Sequence, residues 1–340
     1  MSKKVVTLGE LLLRLSTQGC KRFCQANTFD AIYGGSEANV SVSLANFGVN
    51  SYFVSKLPNN PIGRSAEAFL KEYGVNTDYI KLGKGRMGIY FYEKGTSVRS
   101  SKVVYDRDNS AITKASVDEF EFDEILKDAD WFHVSGITLA LGENCIEICK
   151  KALKSAKKYN IPVSVDLNYR KQLWPFDKFE NTMSEILKDA DLCIGWLDSN
   201  KNKDFRYNTA NFAQKDFDES KYIKIFKNMC KSYNLKYVVT TLRESYLADN
   251  NGLSAVAYDG NELYHSKKYN FNILDRVGAG DAFAAGLIYK LVSGSNYKDA
   301  LEFAVAASVL KHSIEGDFNL VSEEEVKNLL SGNIYGSLQR

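Results

Sequence analysis

The residues best suited to do chemistry lie late in the chain, in the run Asp275-Arg-Val-Gly278-Ala279-Gly280-Asp281. An extended stretch, Tyr269 to Leu274, leads into it, and a helical pattern through Ala282, Ala285, Leu287, Ile288 and Leu291 leads out. Small residues therefore open a helix, where the first N–H groups lack intrahelical partners and the dipole adds partial positive charge. Such a place holds phosphate or a developing phosphoryl charge. Asp281 is unexpected there, because a carboxylate repels an anion. Its bland reading is a helix N-cap. Its chemical reading is a base that takes the proton of an attacking hydroxyl while Gly278, Ala279, Gly280 and Asp281 cradle the transferred group. Phosphoryl transfer is catalysed mostly by such positioning and electrostatics.

Other runs supply partners for this chemistry. Gly34-Gly35-Ser36-Glu-Ala-Asn39 places two glycines at a strand-to-helix turn, with Ser36 as the expected cap of a helix ending at Gly48. Arg107 lies among acids in Val104-Tyr105-Asp106-Arg107-Asp108, with Tyr90 on the preceding β-rich run. Asp166-Leu-Asn168-Tyr-Arg170 follows a strand end, where doubly wound sheets bind ligands. A lone arginine reads as a surface ion pair. Two near one site suit a carboxylate, which guanidinium binds in bidentate fashion. Gly83-Lys-Gly85-Arg-Met-Gly88 fits a dinucleotide fingerprint, but it opens a strand where that motif requires a helix, so it reads as a turn. The chain has no Walker A sequence.

The elements that must carry these residues alternate. Strands near 5–9, 52–55, 131–134, 163–166, 192–194 and 237–240 are interleaved with helices near 36–47, 63–73, 118–128, 143–159, 178–189 and 219–232. Helices near 297–313 and 322–331 close the chain. This rhythm predicts an α/β fold with a doubly wound, mainly parallel sheet. It is interrupted by β-rich runs at 88–93 and 101–106, which with 11–17 and 23–33 predict a small separate sheet. A further β-rich region spans 245–271.

The 340 residues carry 44 basic and 42 acidic side chains, a net charge of +2, which gives no electrostatic reason to expect a nucleic-acid or membrane partner. The first residues lack the apolar segment and cleavage site of a signal peptide, and no apolar run reaches the roughly 18 residues of a membrane span. Six cysteines form no C-x-x-C pair. These features predict a cytoplasmic protein with reduced thiols.

Both signatures, Gly34-Gly35-x-x-x-Asn39 and Gly278-Ala-Gly-Asp281, resemble those of the ribokinase-like (PfkB) carbohydrate kinases, in the family's order. The segments Tyr105-x-Arg107-x-x-x-Ala111 and Asp166-x-Asn168-x-Arg170-x-x-Leu-Trp174, with Gly9-Glu10, Arg14-Leu15 and Phe23-x-Gln25-Ala26, are similar to the 2-keto-3-deoxygluconate kinase branch. The resemblance covers residues 5 to about 330. It implies a single ribokinase-like domain over 1–340, with a β lid at about 11–33 and 87–110, and ATP and Mg²⁺ as cofactors. It implies Asp281 as catalytic base, and Gly35, Asn39, Tyr90, Tyr105, Arg107, Arg170 and Asp281 around a sugar acid. Asn168, Thr241, Arg243, Gly278 and Gly280 would lie by the nucleotide. A homodimer formed through the lid is expected.

Arg276 stands where the family often has Thr or Ser. The run Ile194-Gly-Trp196-Leu-Asp198-Ser199 lacks the Asn-x-x-Glu motif that helps organise Mg²⁺ in many relatives, leaving Asp198 as a candidate metal contact. Thr241-Leu-Arg243-Glu-Ser245 replaces a glycine-rich nucleotide loop. A neutral-sugar kinase, such as a fructokinase, and a catalytically weak sugar-acid-binding regulator remain the alternatives.

Overall fold

The computed structural model describes residues 3–197 and 218–332. In chain order the elements are β1 (Lys4–Leu8), β2 (Leu12–Thr17), β3 (Phe29–Gly34), α1 (Ser36–Asn46), β4 (Asn50–Pro58), α2 (Pro61–Glu72), β5 (Ile80–Gly83), β6 (Gly88–Glu93) and β7 (Lys102–Asp106). There follow α3 (Phe122–Leu126), β8 (Trp131–Ser135), α4 (Gly136–Ala140), α5 (Glu143–Lys158), β9 (Val163–Asp166), α6 (Phe176–Ile186) and β10 (Leu192–Ile194). Then come α7 (Glu219–Tyr233), β11 (Tyr237–Leu247), β12 (Asn250–Tyr258), β13 (Leu263–His265), β14 (Tyr269–Asn272), α8 (Ala279–Val292), α9 (Tyr297–Lys311) and α10 (Glu323–Leu330).

The large sheet runs β13-β12-β11-β10-β9-β8-β1-β4-β5, with β14 paired to β12. All pairs from β5 to β11 are parallel, and the β12–β14 extension is antiparallel. Side chains alternate across a strand, so β1 feeds two cores. Val6 and Leu8 pack with Phe132, Val165 and the α5, α6 and α7 side, while Val5 packs with Val40, Leu192 and Phe283 beneath α1, α8 and α9. That burial on both faces explains the nearly continuous apolar strands. The order reverses beside β1, and the ends of β1 and β9 open on the same side as the first turns of α1 and α8. Thr241–Ser245, expected as a loop, lies within β11, which runs on to Leu247 as it pairs with β12.

The second sheet has the order β3-β2-β6-β7. Its inner face carries Leu12, Arg14, Tyr90 and Tyr92, all buried. Its outer face aligns Leu13 with Ile89 and Leu15 with Phe91, and Phe91 with Val104.

Several local expectations need correction. Phe23–Gln25 is a 3₁₀ turn, not part of an extended run, because its reciprocal Arg22–Gln25 bond closes the chain locally. The helix expected near 118–128 is a 3₁₀ turn at Val117–Glu119, capped by Ser116, and the short α3. Gly83 closes β5, an edge strand not foreseen, and Gly88 opens β6, so the fingerprint-like segment between them is a connection. Ser36 is the first residue of α1 and not its cap, a position held by Gly35. Asp281 is likewise inside α8, whose cap is Gly278.

Candidate active site

A cavity of about 420 Å³ lies between the two sheets, at the strand ends and the first turns of α1 and α8. Gly35, Asn39, Tyr90, Tyr105, Arg107, Asn168, Arg170, Thr241, Arg243, Gly278, Gly280 and Asp281 all line it, with Glu10, Ser36, Glu37, Asp166, Arg276 and Asp317. Residues from eight separate stretches of the chain thus meet in one place. Ala279 does not: it is buried, its N–H is directed at the Arg276 carbonyl at 3.4 Å, and its carbonyl accepts from Ser308 Oγ. Gly278, Gly280 and Asp281 line the cavity, and Ala279 does not.

Gly278 adopts φ +81°, a left-handed conformation that favours glycine, and an added Cβ would stand 1.9 Å from the Asp317 carbonyl oxygen. At Gly35 a Cβ would meet the Glu10 carbonyl oxygen at 2.0 Å. Close backbone approach, more than turn geometry, requires both glycines.

Asp281 is held from two sides. Ser36 Oγ donates to its Oδ1 at 2.8 Å and Asn39 Nδ2 to its Oδ2 at 2.7 Å. Asn39 thus orients the acid; its Oδ1 also accepts from Gly35 N–H at 3.2 Å. Burial pushes the Asp281 carboxyl above the usual range, opposed by these two bonds, while Asp317 adds to the rise and Arg170 opposes it. Asp166 is pushed up to about 7 by burial and then by the charge of Asp281. Glu37 is also raised to about 7 by burial, against bonds from Thr138 and Ser135. The cavity therefore gathers carboxyls whose charges are costly.

The cations differ in their commitments. Arg107 is buried and gives both Nε (2.8 Å) and Nη2 to Glu10 Oε2, so its guanidinium already has a carboxylate partner. Arg170 is exposed, and its Nη1 donates to the neighbouring Tyr169 carbonyl. Arg243 is lowered to about 10, first by burial and then by Arg276. Tyr90 gives its hydroxyl to Asp317, at 2.6 and 2.7 Å from the two carboxylate oxygens.

Behind the cavity lies a buried ionic cluster. Arg14 on β2 donates Nη1 to Asp317 at 2.8 Å, Nη2 to Asp275 at 2.6 Å and Nε to Ser16 at 2.6 Å, with its guanidinium 4.4 Å from the centre of the Tyr92 ring. Asp275 also accepts from Val277 N–H and Gly316 N–H. The small sheet is thereby tied to the segment that enters the glycine turn.

The model for the pfkB family of carbohydrate kinases matches residues 2–320. The chain belongs to that family. This kinase is 29% identical over 337 residues to a 2-dehydro-3-deoxygalactonokinase of Haloferax volcanii, an alignment covering 99% of each chain. It is 44% identical to a 2-dehydro-3-deoxygluconokinase of Thermotoga maritima, whose crystal structure superposes with a TM-score of 0.90 over 97% of this chain and all of that one. A ribokinase II-type protein of Escherichia coli, solved with ATP and Mg²⁺, shares the fold at 20% identity and a TM-score of 0.79, covering 98% and 100%.

Reasoning from sequence missed part of this kinase's site. The sequence reads Ser36 as a cap and gives Glu10 and Arg14 no role. Glu10 follows the end of the first strand after a single glycine, which is a usable signal. Asp317 had none, being one acid in a polar loop. Asp198 lies outside the described residues.

Proposed function

We propose that this carbohydrate kinase transfers the γ-phosphoryl group of ATP to the terminal, 6-hydroxyl of 2-keto-3-deoxygluconate or a close sugar acid. The observation that carries the reading is Asp281, fixed by Ser36 and Asn39 within the first turn of α8. As the hydroxyl oxygen bonds to the γ-phosphorus, Asp281 accepts its proton, the bond to the bridging oxygen breaks, and ADP leaves. The Gly280 and Asp281 amides stabilise the equatorial charge. Arg243 and Arg276, on the same cavity wall as Thr241, suit the remaining phosphates, and Gly278, Gly280 and Asn168 lie within their reach of the cavity. Open space around Gly280, where a Cβ would meet nothing within 4 Å, leaves room for them.

Mg²⁺ arrives on ATP in this reading. Among the described residues no group of three or more His, Cys, Asp or Glu is arranged to hold a metal, so the chain's own contribution is to bind and orient. The metal's chemistry when bound is neutralisation of phosphate charge.

The acid end of the sugar is assigned to Arg170 and to the Arg107–Glu10 pair, with Gly35, Tyr90 and Tyr105 around the chain of the substrate. The Haloferax and Thermotoga relatives are both named as kinases of 2-dehydro-3-deoxy sugar acids. The four-stranded sheet, from about 11–33 and 87–110, serves as a lid on the one kinase domain. Its apolar outer face, with Val104 half exposed at 52%, suits a second copy of the chain. No described helix is long and apolar enough to cross a membrane, which suits the cytoplasmic location proposed here.

The test is ADP release from ATP across a panel of sugar acids and neutral sugars, with Mg²⁺, with chelator, and with Mg²⁺ restored. Turnover on sugar acids that vanishes and returns with the metal supports the reading. A protein that binds the acid without turnover on any sugar would instead be a regulator.

A further inference from the structure

The bonds around Asp281 carry a consequence for Ser36 and Asn168. Asn168 Nδ2 lies 3.2 Å from Ser36 Oγ, and Ser36 Oγ lies 2.8 Å from Asp281 Oδ1. An amide nitrogen can only donate. The Ser36 oxygen therefore accepts from Asn168, and its single proton is left to point at Asp281. A hydroxyl that could otherwise rotate is locked as a donor to the carboxylate.

The locking residue is itself aimed. Asn168 has φ +37°, in the left-handed region that Asn tolerates better than most side chains, and its N–H donates to Asp166 Oδ1 at 3.0 Å. This Asx-type turn ends β9. The chain Asp166–Asn168–Ser36–Asp281 thus runs from a strand end, across the first turn of α1, to α8.

We propose that Ser36, aimed by Asn168, is a positioning residue that keeps Asp281 ionised and correctly oriented to take the hydroxyl proton. The proposal rests on reading Asp281 as the base. It assigns Asn168 to the base in addition to the nucleotide. The bland alternative makes Ser36 a tie between α1 and α8 that affects folding alone.

The sign of the effect follows from what faces Asp281. Burial raises its carboxyl, and the Ser36 and Asn39 bonds lower it. Asp317 beyond α9 raises it, and Arg170 beyond β9 lowers it. Asp166 on β9 feels the charges of Asp281 and of Glu37 on α1, and burial lowers the Lys311 ammonium at the end of α9, opposed by Asp275, Asp317 and, less, Asp281. All of these groups remain in place when the Ser36 hydroxyl is removed. Loss of that one donor therefore moves the carboxyl further up, and the acid limb of the rate profile moves with it.

The experiment measures kcat/KM for the sugar between pH about 5 and 9 in wild type, Ser36→Ala, Ser36→Thr and Asn168→Ala, with ATP saturating. Ser36→Ala should shift the acid limb upward, so that the rate on that limb falls roughly tenfold beyond any loss at the plateau. Ser36→Thr should restore the wild-type limb. Asn168→Ala leaves the serine in place but frees its hydroxyl, and should move the limb in the same direction by less. This variant decides the question if Ser36→Ala fails to fold. A wild-type limb in both alanine variants, with only unfolding affected, would overturn the proposal. Asp281→Asn serves as the control: wild-type turnover in that variant would instead overturn the base assignment.

Discussion

Replacing Arg14 by Met tests the link between the small sheet and the glycine turn. The Arg14 side chain is 4% exposed, and those of Asp275 and Asp317 are 5% and 2% exposed. These are not surface pairs worth about 0–1 kcal/mol. Methionine retains most of the stem but strands two buried carboxylates, and breaking a buried pair in this way costs about 3–5 kcal/mol. That is a large share of a domain stability of about 5–15 kcal/mol. The cost should depend on pH. Burial holds the Asp317 carboxyl above the usual range despite Arg14 and the Tyr90 hydroxyl, with Asp275 adding to the rise. Such a group's stabilising contribution is complete below the unfolded pKa and is lost as pH rises through the folded one. Without Arg14 the folded value climbs further, so the variant's penalty grows from acid to neutral pH. Urea unfolding of both proteins at pH about 4.5 and about 7.5 reads the difference, provided the slope is unchanged. A penalty below about 1 kcal/mol at the higher pH, or one that is the same at both, would refute the reasoning.

Three further outcomes are expected. Asp281→Asn should lower kcat by roughly 10²–10⁴ while sugar affinity, measured by calorimetry, changes far less. Gly278→Ala must accommodate a Cβ 1.9 Å from the Asp317 carbonyl oxygen at φ +81°; kcat should collapse even in preparations that remain folded by circular dichroism, because the turn holding Gly280 and Asp281 must move. Arg107→Leu leaves Glu10 buried and unpaired, so stability should fall. The double variant Glu10→Gln with Arg107→Leu removes that burden, and its KM for a sugar acid should still rise by roughly ten- to a hundredfold with KM for ATP nearly constant. An equal rise for a neutral sugar would mean that the pair supports the lid alone.

The sheet was legible because parallel strands buried on both faces read as apolar runs, and β10 at Leu192–Ile194 was found to the residue. The glycine turns were legible because close backbone approach admits no other residue at Gly35 and Gly278. What sequence could not reveal was pairing across long separations. Arg107 stands among Asp106 and Asp108, yet its buried partner is Glu10, 97 residues away. Arg14 reaches Asp275 and Asp317 across 261 and 303 residues. Charged neighbours mark Arg107 as exposed, and a lone arginine among Leu11–Leu15 gives no hint of its partners; only the meeting of the two sheets makes both interior. Ser36 misled for another reason: the residue type that caps helices also donates well to a carboxylate, and Gly35 had taken the cap.

The most direct test of the central claim is the position and preference of phosphoryl transfer. Purified protein with ATP and Mg²⁺ is given 2-keto-3-deoxygluconate or fructose, kcat/KM is compared, and the acid product is read by phosphorus NMR. The account predicts a clear preference for the acid and a phosphorus signal split into a triplet by the two hydrogens of a terminal CH₂. Preference for fructose, or a phosphate split by a single hydrogen at a secondary carbon, would contradict it.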